Sequence, residues 1–371
     1  MKKITALLLT ASVIFALTAC GRSGTDSGRI PDRVSTEKGR YEIAFVTDVG
    51  QLLDKSFNQA VWEGIKGFAY ETGRSYRYFQ PANGSQASDT DRYNAITAAV
   101  NSGAETVVVA GFLHIEALGR AAKEHPEVKF IFVDGILPEA DGAPPPDNIA
   151  AITYCEEEAG FLAGYAAVAE GYTRLGFSGG GSGINGSVNR YAYGFARGAE
   201  LAAERLGKEI ELIISWEYGS TYSPSAELQT MLSGWYANGT EVVFSCGGLM
   251  CQSAFAAASA NGGAVIGCDV DRSAESETVI ASAVKGLRES VILALERLYG
   301  GSWDEIGGKL TTFGVKEGGA GLSTDNWRMK SFTPEAYREL LAELESGEIT
   351  VDGDYERLTD ESFGRVKIII R

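Results

Sequence analysis

The chain has 371 residues, 44% of them hydrophobic, and a formal net charge of −16. A surface that acidic repels polyanions, which argues against nucleic-acid binding and against a highly phosphorylated ligand. The length exceeds what a single core usually supports, so two lobes are expected.

The first twenty residues, MKKITALLLTASVIFALTAC, carry two lysines, an apolar run from Ile4 to Leu17 and then Leu17-Thr18-Ala19-Cys20. The run falls short of the roughly 20 residues of a membrane span and has the layout of a secretory signal over 1–19. Leu-Thr-Ala-Cys resembles a bacterial lipobox, in which cleavage leaves Cys20 as a lipidated first residue. The alternative is an ordinary signal whose cysteine is incidental. Residues 20–40 are polar and rich in Gly and Ser, and read as a flexible tether with the folded body starting near Tyr41. No later segment is apolar enough to span a bilayer, so the body is expected to be lipid-anchored on the extracytoplasmic face of the cell membrane.

From Tyr41 onward, apolar β-branched runs alternate with amphipathic stretches. The strand candidates are YEIAFVTD, SYRYFQP, TVVVAGF, VKFIFVD, IAAITY, RLGFSG, EIELIISWEY, EVVFSCGG, AVIGCD and VIASAVK. Helical patterns lie between them over 57–71, 91–102, 116–125, 156–170, 191–206, 224–238 and 251–261. Near-continuous apolar strands in strict alternation with helices predict α/β architecture with parallel sheets covered on both faces. The proline-rich loop Gly142–Asp147 falls near the first lobe boundary. Beyond it come a helix over 287–299, a strand-like TTFGVKEGG, a charged helix over 334–347 and an apolar IIIR that predicts an edge strand. The chain therefore crosses back, giving one lobe over 41–153 plus 283–313 and another over 154–282 plus 314–371.

Three aspartates end three predicted strands: Asp48, Asp134 and Asp269. In open α/β sheets, ligands sit beyond the carboxyl ends of the strands, where carboxylates accept hydrogen bonds from sugar hydroxyls or amino groups. Any one of them is equally explained as a cap; the three together favour a shared ligand site. Ser56 is the expected N-cap of a helix whose buried stripe carries Trp62, Ile65 and Phe68. Phe57 lies off that stripe, as a staple or as an aromatic platform. Asn58 beside it offers a donor and an acceptor to a heterocyclic base edge. Trp216, Tyr218 and Tyr222 supply further stacking surfaces, and Lys285 is a cation at a strand end.

Gly181-Ser182-Gly183-Ile184-Asn185-Gly186 has the form GxGxxG. It lacks the acidic residue expected about 20 residues on for a dinucleotide site, and no Gly-Lys-Ser/Thr closes it as a P-loop. A loop bringing backbone amides near a ligand is the expectation instead. Cys155, Cys246, Cys251 and Cys268 allow three pairings, against which stands their reading as small buried residues. Neither His114 nor His125 has a nucleophile near it in a known catalytic motif. No enzyme, cofactor or metal is expected.

In order, LTAC, VTDVGQLLDKSFNQAVWEG, FVD, YCEEEAGFLAGYAA, FSGGGSGINGSVNRYAYGFARG, EVVFSCGG, VIGCDVD, SAVK and FGVKEGGAGLS resemble the basic membrane protein family of bacterial lipoproteins, of purine nucleoside receptor type. The resemblance implies a type I periplasmic-binding-protein fold: two Rossmann-like lobes joined by a three-crossover hinge. It also implies a monomer that captures a nucleoside between the lobes, with an ABC permease as partner. By position, Asp48, Phe57, Asn58 and Asp134 become first-lobe ligand contacts. Asp269 becomes the ribose partner, Lys285 a contact near the hinge, and Gly248 a point of close backbone approach. Where relatives carry an aromatic directly after Gly-Ser, this chain has Thr221 and then Tyr222, so either Tyr222 takes the stacking role or the second platform is lost. The tail after Val351 is longer than the resemblance implies. The rival readings are a binding protein for a sugar or other small polar solute, and a nucleoside hydrolase or dehydrogenase.

Overall fold

The computed structural model describes residues 30–49, 51–136, 145–360 and 363–371. The signal, Cys20, the start of the tether and the first half of the proline-rich loop lie outside the described residues. In chain order the elements begin β1 (Ile43–Val46), α1 (Phe57–Thr72), β2 (Tyr76–Phe79), α2 (Asp89–Asn101), β3 (Thr106–Ala110), α3 (Ile115–Glu124), β4 (Lys129–Val133) and β5 (Ile149–Tyr154). Next come α4 (Glu156–Glu170), β6 (Arg174–Gly179), α5 (Gly186–Leu206), β7 (Ile210–Ser215), α6 (Ala226–Ala237), β8 (Val242–Cys246), α7 (Cys251–Asn261), β9 (Ala264–Asp269) and β10 (Val279–Lys285). The remainder is α8 (Leu287–Tyr299), β11 (Leu310–Phe313), β12 (Ala320–Leu322), α9 (Pro334–Ser346), α10 (Arg357–Asp360) and β13 (Val366–Ile370).

Strands such as TVVVA are buried at every position, as parallel strands covered on both faces must be. They form a six-stranded sheet ordered β11-β5-β4-β3-β1-β2 and a seven-stranded sheet ordered β12-β10-β9-β8-β6-β7-β13. Every pairing is parallel except β10 with β12. Alternation along β1 serves two cores. Ile43 and Phe45 pack with Trp62, Ile65 and Val291 on the α1/α8 face, while Ala44 and Val46 pack with Ile96, Ala99 and Leu118 on the α2/α3 face. In the second lobe α4, α5 and α9 cover one face, and α6 and α7 cover the other.

The chain passes between the sheets after β5, after β10 and after β11. All of β10 belongs to the second sheet, so the second crossing falls at Gly286 rather than at residue 283. TTFGVKEGG is not one strand. β11 ends at Phe313, a 3₁₀ turn follows over Val315–Glu317, and β12 begins at Ala320 in the other sheet. Gly318, at positive φ, closes that 3₁₀ turn just before β12. The crossings are tied together: the Cys155 amide donates to the Phe313 carbonyl at 3.0 Å, and the Gly286 amide to the Gly319 carbonyl at 3.0 Å. The IIIR run supplies β13, the edge strand beside β7.

Part of the expected tether is packed. Val34 bridges Tyr76, Tyr76 donates its hydroxyl to the Pro31 carbonyl, and Asp32 pairs with Lys66 at 3.1 Å. The folded body thus begins by Ile30, earlier than Tyr41. Among the described residues no helix is long and apolar enough to cross a membrane.

Candidate functional site

Asp48 lies two residues beyond β1, Asp134 directly follows β4 and Asp269 ends β9, and all three line one cleft between the lobes. Counted out to its solvent mouth, the cleft has about 740 Å³ of empty space. Phe57, Asn58, Tyr222, Gly248 and Lys285 line it too, so every predicted ligand residue meets there. Asp134 and Asp269 reach it through left-handed backbone, φ 60° and 67°, a conformation that Asp tolerates better than most residues.

Lys285 is the hub. Its Nζ lies 3.0 Å from Asp134 Oδ2, 3.0 Å from Glu156 Oε1 and 3.8 Å from Asp269 Oδ1, with the side chain 3% exposed. The Tyr154 and Tyr191 rings flank it. Arg190 supports Glu156 from behind, donating through Nε at 2.7 Å. Burial disfavours charge throughout this cluster. For Lys285, Asp134, Glu156 and Asp269 outweigh it and hold the ammonium well above its ordinary range. For Glu156, Lys285 and Arg190 outweigh it and hold the carboxyl below its range. For Asp134 burial wins, and its carboxyl is pushed up to about 6. Asp134 also accepts from Ser187 Oγ at 3.1 Å, so it ties β4 of the first lobe to α5 and β10 of the second.

Asp48, also on the cleft, lies against Gly111, whose φ is 91° and whose missing side chain leaves the space the carboxyl fills. Its Oδ1 is sealed from water without a hydrogen-bond partner. Burial pushes the carboxyl up to about 7. The loop before α1 is organised by Asp54, not Ser56. Asp54 accepts from the amides of Ser56, Asn58 and Gln59, while Ser56 makes no side-chain cap and its hydroxyl is unpartnered. The carboxylate two residues upstream reaches the same orphan amides and displaces the hydroxyl. Asn58 is also internal: Oδ1 accepts from the Asp48 amide at 2.8 Å, and Nδ2 donates to Val49 and Asp54. Its amide holds Asp48 in place, whereas the sequence pattern suggested a free base-reading edge.

Of the three aromatics expected in the second-lobe loop, only Tyr222 lines the cleft. Trp216 packs beside Gly179, and Tyr218 is half exposed. Tyr222 accepts from Asn185 Nδ2 at 2.9 Å, and its ring sits where side chains at Gly180 and Gly181 would be. The glycine-rich loop therefore seats Tyr222, and it is Asn185 within it, with Ser187 and Val188 just beyond, that faces the cleft. Phe112, Asn185, Ser187 and Thr221 are lining residues that sequence reasoning missed. The strand candidate TVVVAGF, whose last residue is Phe112, was the available signal for that one.

Cys246 and Cys268, at the ends of β8 and β9, line the cleft as free thiols with their sulfurs 3.4 Å apart; Cys155 and Cys251 are free as well. His114 is buried with Nε2 on the Thr47 carbonyl, and His125 lies 3.6 Å from Glu127. Among the described residues, no group of His, Cys, Asp and Glu could hold a metal ion.

Residues 42–350 match the family described as ABC transporter substrate-binding protein, PnrA-like. The chain belongs to this family. The nucleoside-binding protein BmpA of an ABC transporter in Lactococcus lactis subsp. cremoris is 28% identical, over 94% of this chain and 99% of its own. Basic membrane protein A of Borreliella burgdorferi is 26% identical over 90% and 91%. A solute-binding protein of an ABC transporter system from Aeropyrum pernix K1 superposes with a TM-score of 0.72 at 22% identity, covering 86% of this chain and 96% of that one. The PnrA-like chain thus has the periplasmic solute-binding fold and is a transporter's substrate-binding protein rather than an enzyme.

Proposed function

We propose that this PnrA-like protein captures a purine nucleoside between its lobes and delivers it to an ABC permease, while lipidated Cys20 holds it on the outer face of the cell membrane. One observation carries the reading: the cleft combines two unlike surfaces. Phe57, Phe112 and Tyr222 offer rings to a flat base, and stacking is worth about 1–3 kcal/mol per base. Asp134, Asp269 and Lys285 offer charged partners to ribose hydroxyls, at about 1.5–3 kcal/mol per bond. A free base would use only the first surface and a sugar only the second. The nucleoside-binding relative supports the same assignment. In this reading Tyr222, and not Thr221, is the second platform.

Titration calorimetry on the ligand-stripped protein tests this with purine nucleosides, pyrimidine nucleosides, free bases and sugars. Purine nucleosides are expected to bind tightest, and Asp269→Ala to weaken them about 10–100-fold through loss of a charge-assisted bond. Binding of a sugar alone, or full affinity in Asp269→Ala, would overturn the reading. The anchor is tested separately: Cys20→Ser should move the protein from the membrane to the soluble fraction, and a variant that stays membrane-bound would refute the lipid.

A further inference from the structure

We propose that Cys246 and Cys268 form an oxidation site in the lining of the cleft: exchange with a small disulfide links them, and the linked protein holds its ligand less tightly. The linkage follows from the placement of the two thiols. Its effect on affinity rests on the purine-nucleoside reading above.

β8 and β9 run side by side, with Val242 beside Ala264 and Phe244 beside Ile266. Two residues further on, the same register brings Cys246 beside Cys268, and the alternation of a strand points both side chains to one face. Phe244, Cys246, Ile266 and Cys268 accordingly pack into one core. Adjacent strands lie about 4.7–4.9 Å apart, inside the span of about 4.4–6.8 Å between Cα atoms that a disulfide bridges. The two sulfurs are already 3.4 Å apart. The other thiols are placed elsewhere: Cys251 packs on the opposite face of the second sheet, and Cys155 lies at the first crossing. Cys246 and Cys268 are buried and both line the cleft, so an oxidant reaches them from there.

Burial holds both thiols above their ordinary range, so contact rather than acidity makes them a pair. One cysteine gives its proton to water, attacks the small disulfide R–S–S–R and expels one thiolate. The other cysteine, deprotonated in turn, attacks the protein sulfur of the mixed disulfide and expels the second thiolate. The two released thiolates take up the two protons. Two cysteine thiols are thereby oxidised, and one external disulfide is reduced to two thiols. The extracytoplasmic side is where such disulfides persist. A disulfide holds its sulfurs about 2.05 Å apart, so linking draws the two strand ends together. Gly247 and Gly248 follow Cys246 in the chain, and Asp269 follows Cys268. Arg272 braces both ends, donating to the Gly248 carbonyl at 3.0 Å and to the Cys268 carbonyl at 3.4 Å. The movement therefore reaches Gly248 and Asp269, which both line the cleft, and misaligns them for the ligand.

The test treats the ligand-stripped protein with hydroxyethyl disulfide, maps its linked peptides by mass spectrometry and titrates inosine by calorimetry. The map is expected to join Cys246 to Cys268, and dithiothreitol to separate them. Inosine affinity is expected to fall about 10-fold on linking, as for one misplaced hydrogen bond to a charged group, and to recover on reduction. Saturating inosine fills the approach and is expected to slow the linking at least ~10-fold. Cys268→Ala is expected to bind inosine equally before and after treatment. Cysteines that stay free without inosine, or that link elsewhere, overturn the inference, and so does a linked protein of unchanged affinity. Failure of inosine to bind the reduced protein overturns the nucleoside reading instead, while the peptide map still decides the linkage. The map and its reversal are read on the wild type, so they are decisive even if Cys268→Ala does not fold.

Discussion

Both ends of the Asn58 amide are engaged inside the protein, and Asp48 is held at a strand end with one oxygen unpartnered. Such a carboxyl works against folding whenever it is charged. Its folded value, about 7, lies above the ordinary 3.8, so between those limits the folded chain holds more protons than the unfolded one. Stability contributed by Asp48 is therefore full below about pH 4 and declines as pH rises to about 7. Because the residue keeps some contact with the open cleft, the loss is about 1–3 kcal/mol. Asp48→Asn should raise the melting temperature of the ligand-free protein at about pH 8 and change it little at about pH 4. A melting curve shifted equally at both values would disprove the burial argument. The three aspartates were readable from sequence because each ends an apolar run, and a parallel strand delivers its last residue to the crevice. The role of Asn58 was not, because it depends on how 49–54 folds back, and no periodicity encodes a loop path. The displacement of Ser56 by Asp54 was hidden for the same reason.

At the level of elements, the segment EEEAGFLAGYAA matters through how closely it lets α4 approach α5. A Cβ at Gly160, Gly164, Gly194 or Gly198 would overlap the carbonyl of Tyr191, Phe195, Glu157 or Phe161 on the opposing helix. Four reciprocal contacts bring the two backbones together, as small residues do wherever helices approach most closely. The consequence reaches the cleft: the start of α4 presents Glu156 to Lys285, while α5 presents Arg190 to Glu156 and Ser187 to Asp134. Gly198→Ala should cost about 1–3 kcal/mol, as overpacking does. By prying α4 from α5, it should also weaken nucleoside binding without touching the ligand. Wild-type melting and affinity in that variant would show that the contact relaxes freely. In sequence these glycines serve only as landmarks, because helix-to-helix distance is a property of two segments. The strand and helix order was legible throughout, since parallel strands buried on both faces announce themselves as continuous apolar runs. It failed at TTFGVKEGG, where only the first three residues belong to a strand and the rest makes the crossing to the other sheet.

For the whole molecule, what matters is how the lobes are held together. Asp134 belongs to the first sheet, yet its oxygens are taken by Ser187 and Lys285 of the second lobe, at 3.1 and 3.0 Å. Backbone bonds at the crossings hold the hinge side, leaving the Asp134 cluster as the charged clasp across the cleft. Without Asp134, Lys285 keeps Glu156 at 3.0 Å and Asp269 at 3.8 Å, both in the second lobe, so its charge is not stranded. What is lost is the pair of bonds from Ser187 and Lys285 that crosses the cleft, so Asp134→Ala biases the equilibrium toward the open form. Small-angle scattering on the ligand-stripped protein should then give a radius of gyration about 1 Å above wild type, against roughly 20 Å for a compact chain of this length. Saturating nucleoside should close the wild type fully and the variant only in part, because the ligand must also overcome the shifted equilibrium. A variant as compact as wild type without ligand would mean that the crossings alone set the lobe angle, with Asp134 acting on the ligand and not on the hinge.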